Sequence, residues 1–181
     1  MEKEIEKKLI DICYETGLKE FKSRVGKKQN EGYKKILLAA DAGLKEAQEK
    51  VGEIFDFGNG RGTWDLAVKY FKMASEQGSA FADYCLSVCF YRTRWEEKES
   101  TTNEETGESL MSLKVKTAGN VEEYLRKSAE ANYFPAQFLL GKELLFGNDI
   151  MKADKKEGKK WLELASKNGV EEATELLKEN F

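Results

Sequence analysis

The chain repeats one pattern four times, as ILLAADAGLKEA (residues 36–47), FKMASEQGSAFA (71–82), LRKSAEANYFPA (125–136) and LELASKNGVEEA (162–173). Each copy opens on an apolar residue, and two small residues follow three and four positions later. A glycine or asparagine comes next, and each copy ends four residues after it on an alanine. Such self-similarity is typical of proteins built from stacked structural repeats.

The closing alanines set the period of the repeat: they are Ala47, Ala82, Ala136 and Ala173. The first two are 35 residues apart and the last two are 37 apart. The middle interval is 54 residues, which is one period plus an insertion. A period of about 20–50 residues indicates supersecondary units that stack on their neighbours.

The residues within the pattern favour helices joined by short turns. A glycine or asparagine suits the position just after a helix, and the small pair before it lets two helices approach closely. Because the next helix starts within a few residues, consecutive helices should run antiparallel. The chain contains a single proline, Pro135, so proline does not interrupt long helices. Together these features predict an all-α fold, an α-solenoid of antiparallel helix pairs with about eight or nine helices.

The same positions resemble the Sel-one-like repeat family, relatives of the tetratricopeptide repeats, over roughly residues 31–181. Two stretches match the first helix of that family's pattern: Ala47, Val51, Gly52, Phe55 and Ala136, Leu140, Gly141, Leu144. Gly58, Gly60 and Gly62 resemble its turn. Its second helix is matched by Ala67, Tyr70, Ala74, Gly78 and, less fully, by Gly158, Trp161, Ala165, Gly169. The middle unit departs from the pattern, with Ser87 in place of the first-helix glycine.

We predict one repeat domain over residues 1–181. Its predicted parts are an N-terminal helical cap and half-unit (1–46), a repeat (47–81), a repeat with an insertion (82–135), a repeat (136–172) and a C-terminal capping helix (173–181). In the cap, Ile5, Leu9, Ile12 and Cys13 form one helical stripe, and Leu18, Phe21 and Val25 form another after Gly17. These stripes predict a helical unit that covers the first repeat.

The insertion spans residues 96–119, and its centre, STTNEETGES (100–109), is predicted to be a mobile loop. This centre is polar and acidic and contains no apolar residue, so it cannot bury itself in a core. Two interpretations stay open: a flap that contacts a partner, or an insertion tolerated at the edge of the solenoid.

Several classes of enzyme and metal site are excluded by the residues the chain lacks. It contains no histidine, which excludes Ser-His-Asp and Cys-His catalytic arrangements. The glycine-rich run at 58–62 follows a predicted helix, not a strand, so we interpret it as a turn and not as a phosphate loop. Cys85 and Cys89 would need two further ligands to bind zinc, so we interpret them as buried thiols. We expect no enzymatic activity, no metal and no cofactor.

The charge balance argues against nucleic acid and membranes as partners. The net charge is −3 and no run is strongly basic. The first nine residues, MEKEIEKKL, lack the apolar core of a signal peptide, and no stretch is apolar enough to span a membrane. We therefore predict a cytoplasmic protein.

The first helices of stacked pairs line the concave side of a solenoid, and the family resemblance implies that partners dock there. Four positions relative to each closing alanine share a helical face: one before it and two, six and nine after it. The residues selected in this way are Glu46, Glu49, Glu53, Asp56, then Phe81, Tyr84, Val88, Tyr91, then Pro135, Phe138, Lys142, Leu145, and finally Glu172, Glu175, Glu179. They predict an aromatic floor between acidic flanks. In the alternative, the aromatic residues only pack between units and the glutamates are solvated.

These features together predict a module that binds another protein with a basic surface or a basic segment. A more specific form of this hypothesis is an immunity protein that neutralises a basic toxin, because blocking such an active site requires shape and negative charge only. The first alternative is a scaffold or adaptor in signalling or envelope assembly. The second is an enzyme that uses carboxylates alone.

Overall fold

The computed structural model describes residues 2–56, 61–93, 95–102, 109–117 and 119–181. Nine helices and one pair of strands lie within these ranges. In chain order they are α1 (Glu2–Phe21), α2 (Gly26–Asp41), α3 (Lys45–Asp56), α4 (Arg61–Glu76), α5 (Ala80–Arg92), β1 (Trp95–Thr102), β2 (Ser109–Lys116), α6 (Val121–Glu130), α7 (Phe134–Phe146), α8 (Lys155–Lys167) and α9 (Glu171–Asn180). The prediction of helix pairs with about eight or nine helices is confirmed.

The turn residues of the pattern end the helices as predicted. Gly43, Gly78 and Gly169 have φ angles of 94°, 77° and 87°, and Asn132 has a φ of 62°. These values lie in the left-handed region, which glycine and asparagine tolerate better than other residues. Each turn therefore reverses the chain within a few residues and lets the next helix pack alongside.

The chain divides into two compact units, Met1–Ala82 (unit 1) and Asp83–Phe181 (unit 2). The small pairs and closing alanines of the pattern lie in their cores. In unit 1 the core contains Ile36, Ala39, Ala40, Ala47, Val51 and Tyr70. In unit 2 one cluster contains Leu125, Ala129, Ala136, Leu140, Leu144 and Met151, and another contains Leu145, Leu162, Ala165 and Ala173. A single repeat domain over the whole chain stays a prediction.

Glycines allow the helices of two pairs to cross at backbone contact. A Cβ atom on Gly32 of α2 would lie 2.7 Å from the carbonyl oxygen of Gly17 on α1. A Cβ atom on Gly158 of α8 would lie 2.9 Å from the carbonyl oxygen of Gly141 on α7. Because each crossing has a glycine on both helices, no side chain separates the two backbones.

The insertion contains a pair of strands that the sequence analysis did not predict. Strands β1 and β2 pair antiparallel, with Trp95 opposite Lys116 and Thr102 opposite Ser109. The strand signal was present in the sequence of β2, where apolar Met111, Leu113 and Val115 alternate with polar residues. Residues 103–108, at the centre of the insertion, lie outside the described residues.

Two further expectations need correction. Helix α1 runs unbroken through Gly17, and its residues Ile5, Leu9 and Ile12 are 54%, 60% and 59% exposed, so this stripe does not cover the first repeat. The residues of α1 that pack against the core are Ile10, Tyr14, Leu18 and Phe21. Gly62 lies in the first turn of α4, not in the preceding turn, while Gly58 and Gly60 lie outside the described residues. None of the described helices is both long and apolar enough to cross a bilayer.

Candidate functional site

The predicted interaction residues lie on four helices. In unit 1, α3 contains Glu46, Glu49, Glu53 and Asp56, and Phe81 follows in the first turn of α5. In unit 2, α5 contains Tyr84, Val88 and Tyr91, α7 contains Phe138 and Lys142, and α9 contains Glu175 and Glu179. The side chains of Glu46, Lys142, Glu175 and Glu179 are exposed, and the other residues are half-buried.

Three of the predicted glutamates lie close enough to a tyrosine of α1 to affect its pKa. The hydroxyl of Tyr14 donates a hydrogen bond to the backbone oxygen of Glu46, at 3.0 Å. Burial, together with the negative charges of Glu49, Glu46 and Glu53, raises the pKa of Tyr14 to about 12. The structure therefore brings these three carboxylates near one phenol and creates a negative potential there. We call Tyr14, Glu46, Glu49 and Glu53 the acidic face.

Two members of the acidic face are oriented by neighbouring side chains. The Oε1 atom of Glu49 accepts a hydrogen bond from the Ser79 hydroxyl at 2.5 Å. The Oε2 atom of Glu53 lies 2.8 Å from the ammonium of Lys50, one turn earlier on the same helix. Lys50 compensates part of the negative charge, and the orientation of Glu49 depends on a residue outside α3.

The predicted aromatic residues contribute to packing. The ring of Phe81 lies edge-on to Phe71, with 6.3 Å between centroids, and the ring of Tyr84 lies 5.4 Å from that of Tyr133. Phe138 packs against the cluster that contains Leu162. Because these three side chains are half-buried, only part of each surface remains accessible to a partner.

The sequence analysis wrongly placed one residue, Leu145, on the predicted interaction face. Leu145 is 2% exposed and belongs to the core cluster of α7, α8 and α9, so it cannot line an open groove. The reason is its position four residues after Gly141, on the side of α7 that meets α8. Pro135 is half-buried and Glu172 is exposed.

Sequence analysis missed a pair of buried glutamines that link successive helices. The side-chain amide of Gln48 donates to the backbone oxygen of Ala40 on α2 at 3.1 Å, and its Oε1 atom accepts from Gln77 at 2.8 Å. In unit 2, Gln137 donates to Ala129 on α6 at 3.2 Å and accepts from Asn168 at 3.0 Å. We call Gln48 and Gln137 the clip glutamines.

The sequence contained a signal for this position. Each clip glutamine directly follows a closing alanine of the repeat, and Asp83 occupies the same place after Ala82. Asp83 is 1% exposed, and its carboxylate lies 3.0 Å from the ammonium of Lys127. A polar residue recurring beside a buried alanine indicates a buried hydrogen-bonding role, because such groups need partners.

An ion-pair network connects α6 and α8. The guanidinium of Arg126 donates from Nη1 and Nη2 to both carboxylate oxygens of Glu157, at 2.5 and 3.2 Å, and from Nε to Glu122 at 2.8 Å. The indole of Trp161 also donates to Glu157, at 3.2 Å. The hydrogen bond from Arg126 lowers the pKa of Glu157, burial acts in the opposite direction, and the bond from Trp161 lowers it again.

We expect Glu157→Gln to lose stability in a pH-dependent way. Since the pKa of Glu157 is lowered in the folded chain, its stabilisation is complete above its ordinary value of 4.5 and is lost as pH falls through the lowered value. Urea unfolding should show a loss of about 1 kcal/mol at pH 7, a small figure because both side chains are partly solvated. The difference from the unsubstituted chain should shrink toward pH 3. Glu163→Gln, an exposed position on the same helix, is the control; a constant difference across the pH range would contradict the assignment.

The three cysteines form no disulfide with one another. Cys89 is buried as predicted, whereas Cys85, which was also predicted to be buried, is half-buried, as is Cys13. Across the part of the chain that the structure describes, no three Cys, Asp or Glu side chains cluster in a way that could bind a metal ion.

Comparison with known proteins identifies the repeat. A family model described as the Sel1 repeat matches residues 45–79 and 135–170. No curated protein sequence matches the chain significantly. Two similar crystal structures show the fold. One is a protective antigen present in uropathogenic Escherichia coli strains and displaying an SLR fold, with 22% identity, a TM-score of 0.67 and coverage of 94% of this chain and 33% of that chain. The other is a Sel1 repeat protein from Oxalobacter formigenes, with 20% identity, a TM-score of 0.69 and coverage of 93% and 62%.

Proposed function

We propose that the chain, two stretches of which match the Sel1 repeat, binds a partner protein with a basic surface. Sel1 repeat proteins generally mediate protein–protein interactions and are typically non-catalytic. The acidic face is the observation that supports this proposal. We propose that the binding takes place in the cytoplasm, with neither nucleic acid nor membrane as the partner.

The chemistry of the acidic face favours lysine or arginine on the partner. Three carboxylates close to one half-buried phenol attract a positive charge at long range and increase the rate of encounter. On contact, a guanidinium or ammonium group forms charge-assisted hydrogen bonds with the carboxylates, which are about twice as strong as neutral ones. Within unit 2, taken by itself, the accessible parts of Tyr84, Tyr91 and Phe138 offer aromatic contact area, a residue type that is enriched among the strongest contributors to binding at interfaces.

Removing the charge of the acidic face should weaken partner binding about tenfold or more. The test is the triple variant Glu46→Gln, Glu49→Gln, Glu53→Gln, which keeps side-chain size and keeps an acceptor for Ser79. A tagged full chain is used to co-purify the partner, and the Kd is then measured at low and high salt. Most of the loss should occur in the association rate and at low salt.

The matched control removes three exposed carboxylates elsewhere in unit 1, as Glu31→Gln, Asp65→Asn and Glu76→Gln. It changes the net charge by the same three units, from −3 to 0, but leaves the acidic face intact, so its Kd should stay within about twofold of the unsubstituted chain. An unchanged Kd in the first triple variant, or an equal loss in both, would show that the acidic face is not the docking site.

The identity of the partner separates two forms of the proposal. We propose an immunity role, in which the partner is a basic toxin whose activity is lost in the complex. In the alternative role of scaffold or adaptor, the co-purified partner keeps its activity when bound. An assay of the partner's activity with and without the chain distinguishes the two.

A further inference from the structure

Unit 2 contains a cavity of about 240 Å³ between α5, α6, α7 and the segment that follows α7. Its lining is almost wholly apolar. The buried side chains of Val121, Leu125 and Met151 form its floor. Half-buried Val88, Tyr91 and Leu139 form its rim, so the cavity is reached from the surface.

The cavity lies beside the one position at which this part of the repeat has a serine in place of a glycine. Gly52 and Gly141 each stand five residues after a closing alanine, and Ser87 is their counterpart on α5. A Cβ atom on Gly52 would lie 2.5 Å from the ring of Phe71, and one on Gly141 would lie 2.9 Å from Leu162. In those two pairs a neighbouring side chain therefore fills the space, whereas Ser87 borders the cavity.

Helices α5 and α6 contact each other beside the cavity. The ammonium of Lys127 lies 3.0 Å from the carboxylate of Asp83, and the ring centroids of Phe90 and Tyr124 are 5.6 Å apart. Strands β1 and β2 connect α5 to α6 in place of a short turn. Because the floor consists of fully buried residues of α6 and of the segment after α7, the cavity exists before any ligand binds.

The polar groups beside the cavity already have partners. The hydroxyl of Ser87 donates to the backbone oxygen of Tyr84 within the same helix, at 2.7 Å. The carboxylate of Glu143 accepts a hydrogen bond from the side-chain amide of Asn148. An anionic ligand group would lose its hydration and face the negative charge of Glu143, so the lining disfavours anions, and its apolar surface favours an apolar group.

The volume limits the size of that group. A dry protein cavity of about 150 Å³ holds benzene, whereas pockets for drug-sized ligands and cofactors measure about 300–1,000 Å³. The cavity therefore suits a single phenylalanine, methionine or leucine side chain. Two of its rim residues, Val88 and Tyr91, belong to the predicted interaction residues.

We propose that this cavity is the anchor point for one uncharged apolar side chain of the partner protein, an inference that rests on the proposed function. Toluene is the probe that tests the cavity without the partner. It should shift the methyl NMR signals of Val88, Val121, Leu125 and Leu139 in a saturable way and raise the melting temperature of the full chain. Benzoate should bind at least tenfold more weakly.

A variant with a larger side chain in the cavity is compared with a variant that has the same substitution at an exposed position. Val88→Trp should abolish toluene binding, and Val88→Phe serves the same purpose if the larger side chain prevents folding. Leu38→Trp, a substitution at a 64% exposed position in unit 1, should leave toluene binding unchanged. Absence of saturable shifts in the unsubstituted chain, or equal binding to the filled variant, would overturn the proposal and leave the cavity as a packing void.

The partner complex then separates this inference from the proposed function. Val88→Trp should raise the Kd for the partner about tenfold or more. If Val88→Trp binds the partner normally while the triple variant of the acidic face does not, the anchor point is wrong and the proposed function stands. If both variants bind normally, both proposals fail.

Discussion

Gly32→Ala should lower the free energy of unfolding by about 3 kcal/mol, although alanine is the better helix former. The new Cβ atom would lie 2.3 Å from the backbone nitrogen of Phe21, 2.7 Å from the oxygen of Gly17 and 2.8 Å from the carbonyl carbon of Glu20. All three are backbone atoms of α1 or its end, so no side-chain rotation relieves the overlap and the two helices must separate. This cost exceeds the gain of about 1 kcal/mol from helix propensity.

Urea unfolding followed by circular dichroism measures this effect, and the same helix offers the control. A Cβ atom on Gly26, at the start of α2, would meet nothing within 4 Å. Gly26→Ala should therefore be neutral or stabilise the chain by up to about 1 kcal/mol. Equal effects of the two substitutions would show that the α1–α2 crossing does not depend on a bare backbone.

Phe71→Ala should cost about 4 kcal/mol, because Phe71 is 1% exposed and its ring occupies the space beside Gly52. In the unsubstituted chain, Gly52→Ala should also be destabilising, since its Cβ atom would lie 2.5 Å from that ring. The double variant should be more stable than the sum of the two losses predicts, because the cavity left by Phe71 accommodates the new methyl group.

A double-mutant cycle in urea measures the coupling between these positions, which we expect to be about 1–2 kcal/mol. The control cycle combines Phe71→Ala with Gly26→Ala, whose position is open to solvent, and its two effects should add. Additivity in the Gly52 cycle would mean that the ring does not contact α3 as the structure shows.

The parts of the fold that could be predicted depend on neighbours in sequence. The positive φ at Gly78 and Asn132 and the burial of Ala136 follow from a pattern only twelve residues long, so sequence periodicity locates them. The packed side of α1 could not be located in this way. That helix contains two apolar stripes, one through Leu9 and one through Leu18, and only the position of α2 decides which is buried.

In the candidate site, too, positions within one helix could be predicted and contacts between helices could not. The period places Glu46, Glu49 and Glu53 on one helix, but their approach to Tyr14 joins residues that are 32 positions apart. A contact of that kind depends on how α1 and α3 pack and leaves no local signature in the sequence. The hairpin of β1 and β2 was missed for another reason. The alternation of apolar and polar residues in β2 is short and adjoins a polar segment, so the polar composition of the whole insertion indicated a loop more strongly than this alternation indicated a strand.

The clip glutamines define the smallest set of helices in which the hydrogen bonds of each buried side-chain amide are all kept. Gln48 is hydrogen-bonded to the helix before its own and to the first residue after the helix that follows, and Gln137 repeats the arrangement. A boundary engineered just before α3 or α7 would separate a buried amide from its acceptor. Designers who shorten, extend or transplant this array should therefore treat three consecutive helices, not the two of a formal repeat, as the indivisible module.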